Sequence, residues 1–168
     1  MKKVAVLIED QYQELEVWYP YLRLKEAGHD VKMVGTGKGE YRSKCGYPAQ
    51  EEVAMAAAGG AGFDAVVIPG GYAPDFLRRH EKINSFVRGV YDKGGVVAAV
   101  CHGGWVLISA GLLEGKRATS FFAIKDDMKN AGARWEDSEV VVDGRLVTAR
   151  KPEDLPAFLK AIIRLLED

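Results

Sequence analysis

Three short apolar runs constrain this chain more than anything else in it. Val4–Ile8, Ala65–Ile68 and Val96–Val100 are continuous and β-prone, with no polar residue at alternate positions. A strand wet on one face alternates; an unbroken run of this length belongs to a strand covered on both faces. Between the runs the pattern changes to helical spacing. Leu15, Trp18, Tyr19, Leu22 and Leu24 precede Gly28, and Ile83, Phe86, Val87 and Val90 precede Gly94-Gly95. Glycine at such positions stops a helix. Strands alternating with helices predict an α/β fold, with a mostly parallel sheet sandwiched between helices. In such sheets ligands bind at the carboxyl ends of the strands.

The remaining segments fill in this plan. Residues 30–35 read as another strand and 41–53 as short strands or turns around Gly46 and Pro48. Residues 54–62 are alanine-rich and interrupted by Gly59-Gly60. One helix is expected over 75–93, with shorter ones over 105–110 and 124–131. A hairpin turns at Asp143-Gly144, and an amphipathic helix closes the chain over 153–166. Pro20 predicts a kink or a late start in the helix that begins near Glu14. No repeat or linker divides the sequence, so 1–168 reads as a single domain.

Composition narrows the function classes. With 23 basic and 24 acidic residues the net charge is −1, so the chain lacks the basic surplus a nucleic-acid binder needs. Two cysteines cannot form a disulfide scaffold, and three scattered histidines give no metal-ligand spacing; no cofactor is expected. Val4–Ile8 ends at Glu9-Asp10, too soon for a signal peptide, and no run is long enough to span a membrane. The default compartment is the cytoplasm, where Cys45 and Cys101 would be free thiols. Glycine is over-represented at 19 of 168 residues. Gly70, Gly71, Gly103 and Gly104 gather just past strand ends, where absent side chains let backbone N–H groups approach a ligand.

Cys101 stands between an apolar strand and a helix start, in Ala-Val-Cys-His-Gly-Gly-Trp. That junction is a nucleophile elbow, which thrusts a side chain into a crevice. The helix N-terminus and the neighbouring His102 would favour a thiolate. The alternative is a small buried cysteine in a tight turn. Adjacent side chains diverge, so pairing between Cys101 and His102 is not dictated. His29 reads as a turn residue and His80 as solvated. Glu14 and Glu16 follow the first strand and face the elbow if they line the crevice; otherwise they are helix-start acids. A protonated carboxyl there could donate to a thiolate, and such a pair titrates as a unit.

Several segments together look like one family. They are Ile-Pro-Gly-Gly-Tyr-Ala-Pro-Asp, Ala-Val-Cys-His-Gly, Leu-Ile-Ser-Ala-Gly, Ile-Lys-Asp-Asp-Met-Lys-Asn-Ala-Gly-Ala and Thr-Ala-Arg-Lys-Pro-Glu-Asp-Leu-Pro-Ala-Phe. In this order they resemble the PfpI family of intracellular cysteine peptidases. That family lies in the wider DJ-type superfamily, with a flavodoxin-like, class I glutamine-amidotransferase-like fold. The resemblance implies that Cys101 is the nucleophile, Glu16 its hydrogen-bonding glutamate and His102 its partner. Asp75 stands where the peptidases carry a glutamate that reaches a neighbouring subunit's site, one methylene shorter here. Gly70 and Gly71, with the Cys101–His102 backbone, fall at the oxyanion site. It also implies a homodimer or hexamer, and a small carbonyl compound or peptide as substrate. The activity would be that of a peptidase, or of a glyoxalase or deglycase acting on methylglyoxal and its adducts. A redox-stress protein whose Cys101 is oxidised to sulfinate without turnover is the alternative. A non-catalytic module, with Trp18, Tyr19 and Tyr21 as core or interface, is the third.

Overall fold

The computed structural model describes residues 1–58 and 62–168. Gly59-Gly60, expected as a break, lies outside them. In chain order the elements are β1 (Lys3–Leu7), α1 (Glu14–Glu26), β2 (Asp30–Gly35), β3 (Glu40–Arg42), β4 (Pro48–Gln50), β5 (Val53–Ala54) and α2 (Met55–Ala58). Then come β6 (Ala65–Ile68), α3 (Ala73–Leu77), α4 (Glu81–Asp92), β7 (Val96–Val100) and α5 (Gly104–Ser109). The chain ends with β8 (Arg117–Ala118), α6 (Lys125–Asn130), β9 (Arg134–Trp135), β10 (Val140–Asp143), β11 (Leu146–Ala149) and α7 (Leu155–Glu167).

The three apolar runs become neighbouring central strands. The main sheet has the order β10-β11-β7-β6-β1-β2-β5, parallel except for the β10–β11 hairpin at one edge. Val4, Ala5 and Val6 pair with Ala65, Val66 and Val67, and Ile68 pairs with Ala99. Every residue of β6 and β7 is buried, as the absence of alternation requires. Each valine or isoleucine so covered contributes about 1.5–3 kcal/mol against leaving it in water. Helices α1 and α7 pack together against the sheet, while α4 and α5 form another helical group against β6 and β7. The fold is the α/β sandwich expected from the sequence.

Two expectations about helices change. Helix α1 runs from Glu14 to Glu26 with Pro20 inside it and buried. Proline lacks the N–H that would bond the carbonyl four residues earlier, that of Glu16, yet the helix begins at Glu14, so the late start does not occur. The single helix expected over 75–93 is two, α3 and α4, separated at Arg78-Arg79-His80. Those three residues offer nothing apolar between buried Leu77 and buried Ile83. The Asn84 amide donates to the Arg78 carbonyl at 2.9 Å and ties the break down.

The strand order sets the position of the site. From β1 the chain first adds β2 on one side, then crosses to place β6 on the other. That reversal opens a crevice at the carboxyl ends of β1 and β6, with β7 next in line.

Candidate active site

Three loops meet at this crevice: the one after β1 that leads into α1, the Pro69-Gly70-Gly71 turn after β6, and the elbow after β7. Cys101 has φ +60°, a left-handed conformation that costs an ordinary residue of order 1 kcal/mol or more. A short 3-10 turn over Cys101–Gly103 then leads into α5. The residue is partly exposed.

Glycine is required on the facing turn. A Cβ at Gly70 would lie 2.5 Å from Glu16 Oε2 and 2.8 Å from Cys101 Cβ. Gly71 has φ +72°, and a Cβ there would run into the backbone of Gln11 and Gln13. Tyr12 forms bridges to Gly71 on one side and to Ser43 on the other. These bridges align residues 43, 12 and 71 as adjacent extended segments around the mouth.

Glu16 lies in the first turn of α1, positioned by the Gln13 side chain, which accepts from the Glu16 N–H at 3.0 Å. Its side chain points inward and is completely buried. Oε2 accepts the Gly70 N–H at 2.7 Å. Oε1 is buried without a hydrogen-bond partner among the described residues. Expected as part of the oxyanion site, the Gly70 N–H is therefore committed to Glu16. The backbone N–H groups of His102 and Gly71 are the ones directed at Cys101 sulfur.

The electrostatics depart from the simple activated thiol. Burial, followed by the negative charge of Glu16, pushes the Cys101 thiol up to about 12, against the stabilising N–H groups of His102 and Gly71. Burial likewise pushes Glu16 up to about 7, opposed by the Gly70 N–H, Cys101 and the Lys44 cation. The two groups occupy one desolvated site that tolerates a single negative charge. When the proton is on Glu16, the charge repulsion is gone while the burial that raises the thiol remains, and the carboxylic acid can donate toward sulfur. A thiolate at Cys101 is accommodated there only while Glu16 holds its proton.

His102 does meet the sulfur: its Nδ1 lies 3.4 Å from Cys101 Sγ. The imidazole stacks on Phe121 at 5.2 Å and meets the edge of Trp105 at 5.2 Å. Burial and then Lys44 lower its pKa, with Asp127 opposing. The ring is neutral at pH 7 and able to take a proton.

Asp75 is not brought to this cluster within the chain. It sits in the first turn of α3 and pairs with Arg79. Lys44 and Tyr72 were not singled out from the sequence. Lys44 is one of many exposed lysines, and only the bridge of residues 43, 12 and 71 places it at the mouth. Trp18 links Tyr12, Tyr21 and Tyr47 at the outer side of α1.

A family model described as the DJ-1/PfpI family matches residues 2–165. The chain belongs to the DJ-1/PfpI family. A deglycase of Pyrococcus abyssi is 44% identical over 165 residues, 98% of this chain and 99% of the relative. The deglycase PfpI of Pyrococcus furiosus is 42% identical over the same shares. A solved two-domain protein of Anabaena variabilis, with DJ-1/ThiJ/PfpI-like and ferritin-like domains, superposes with TM-score 0.97 at 46% identity. It is covered over 99% of this chain, which spans 48% of that longer one. Among the described residues no helix is long and apolar enough to cross a membrane.

Proposed function

We propose that this protein is a cysteine-dependent enzyme acting on small carbonyl compounds, in the manner of a deglycase or glyoxalase, with Cys101 as nucleophile. The observation that carries this reading is the position of Cys101 Sγ. It is held on a strained elbow with the buried Glu16 carboxyl on one side and His102 Nδ1 at 3.4 Å on another. The names of the Pyrococcus relatives support the deglycase assignment.

For methylglyoxal the steps follow from these groups. The thiolate adds to the aldehyde carbon, and the resulting oxyanion faces the N–H groups of Gly71 and His102. Protonation of that oxygen gives a thiohemiacetal. Neutral His102, or ionised Glu16, removes the proton on the former aldehyde carbon, and a proton returns to the adjacent carbonyl carbon. The product is a lactate thioester, which water hydrolyses to lactate and the free thiol. The aldehyde carbon is oxidised as its neighbour is reduced, so the reaction needs no external oxidant. A peptide carbonyl would take the same first step, with the amine leaving.

The site also suits the sulfinate alternative: a protonated Glu16 could hydrogen-bond an oxidised sulfur. Methylglyoxal consumption with lactate release, absent in Cys101→Ser, supports turnover. Peroxide-dependent gain of two oxygens at Cys101 with no turnover would favour the sensor.

The same reading extends to assembly. Leu15, Tyr19 and Leu22 are exposed along one side of α1, and Tyr47, edge-on to Trp18 of that helix, is exposed as well. A second copy of the chain covering this stripe would form a homodimer, and Asp75 would serve such an assembly from a neighbouring subunit. Light scattering on Leu15→Glu/Leu22→Glu, expected to shift the protein to monomer, tests this.

A further inference from the structure

The proposed reaction leaves unused a cation at the mouth of the crevice. Lys44 is exposed, but its backbone is fixed: its N–H donates to the Tyr12 carbonyl at 3.0 Å. Tyr12 is in turn bridged to Gly71, and the Tyr72 N–H donates to the Gln11 carbonyl at 2.9 Å. The Lys44 side chain reaches across this segment, placing Nζ over the Tyr72 ring at 5.9 Å. The ammonium thus spans the strand segment that presents the Gly71 N–H to Cys101 sulfur. It has no carboxylate within ion-pair distance among the described residues. Its charge nevertheless reaches both Glu16 and His102.

We propose that Lys44 forms a carboxylate-binding subsite beside Cys101, selecting carbonyl compounds that carry an acidic group a few bonds from the reacting carbon. With the carbonyl oxygen turned to the Gly71 and His102 N–H groups, a substituent leaving along the Tyr12–Tyr72 rim meets the ammonium. Exposed Tyr72 offers a flat face for the carbon chain between the two ends. Lys44 acts on both Glu16 and His102, and a single ammonium matches a monoanion better than a phosphate dianion. The proposal rests on Cys101 being the reactive centre, and it adds which substrates reach it.

The test uses two alkylating reagents of nearly the same shape, anionic iodoacetate and neutral iodoacetamide. In both, the thiolate displaces iodide and forms one C–S bond. Rates at Cys101 are followed by mass spectrometry in a Cys45→Ser background, so that the second thiol does not report. Lys44→Met should lower the iodoacetate-to-iodoacetamide rate ratio by about fivefold to tenfold, the size of one partly screened ion pair. Lys44→Arg should restore it, and Lys44→Glu should lower it further. A change shared equally by both reagents would show that Lys44 acts only through ionisation of the thiol, and would overturn the subsite. Methylglyoxal turnover is measured in parallel. Its absence in the wild type beside a Lys44-dependent ratio would break the methylglyoxal reading and leave the subsite standing.

Discussion

The first turn of α1 serves two thiols, and it serves them differently. Glu14 accepts the Cys45 N–H at 2.8 Å and stands beside that exposed side chain. Glu16, two residues on, stands beside Cys101. In the outer pair, slight burial raises Glu14, but the Ser43 hydroxyl and the N–H groups of Glu14 and Cys45 outweigh it and hold the carboxyl low. Its hydrogen bond, followed by its negative charge, then pushes the Cys45 thiol up. The outer glutamate is an anion and the outer cysteine a thiol. In the inner pair, burial lifts Glu16 to about 7, so this carboxyl exchanges its proton near neutral pH beside a thiol that burial also raises. The residue types are the same; deep burial on one side and hydrogen-bond donors around the carboxylate on the other set the two pairs apart.

The strongest way to break this contrast is to exchange each sulfur. Cys101→Ser should reduce methylglyoxal turnover by about a thousandfold or more, whereas Cys45→Ser should leave it within about twofold. Steady-state assays of both variants decide it, and comparable losses would erase the difference between the pairs.

Glu16 offers the next largest effect, in stability. Folded protein keeps a proton on Glu16 up to about pH 7, whereas the unfolded chain releases it near 4.5. The folded state therefore binds more protons across that window, so stability falls as pH rises through it, by about 3 kcal/mol. Glu16→Gln should flatten this slope in urea melts at pH 4.5 and 7. It should also move the pH profile of iodoacetamide labelling at Cys101. A Glu14→Gln control should leave the stability slope in place.

Gly70→Ala sharpens the inner pair from its other side. The new Cβ would press on Glu16 Oε2 and on Cys101, costing about 2 kcal/mol in stability and disturbing the Gly70–Glu16 bond. Turnover should fall with it, while labelling of Cys45 stays unchanged. The smallest expected effect is at the outer pair. Glu14→Gln should raise iodoacetamide labelling of Cys45 by about twofold to threefold at pH 8, through the lost negative charge.

The sequence made the inner pair legible for specific reasons. Unbroken apolar runs mark β1, β6 and β7 as central, and the site lies where such runs end. Cys101 stands out because a thiol directly after such a strand and before glycines has few structural explanations. Glu16 could be named, but its burial could not be read from a pattern in which Glu14 precedes it with the same charge. The Gly70 N–H was assigned to an oxyanion because a Gly-Gly turn does not reveal which N–H faces which neighbour. Lys44 escaped notice because its place depends on two isolated bridges through Tyr12, pairings that no local periodicity records. The break between α3 and α4 was missed because Arg78-Arg79-His80 looks like an ordinary polar helical turn.

Cys101 also has φ +60°, and that angle has a price in heritability of function. Glycine would occupy the same backbone with less strain, so Cys101→Gly should melt at a higher temperature than Cys101→Ser while being equally inactive. At this position the thiol's chemistry and the backbone's preference pull in opposite directions.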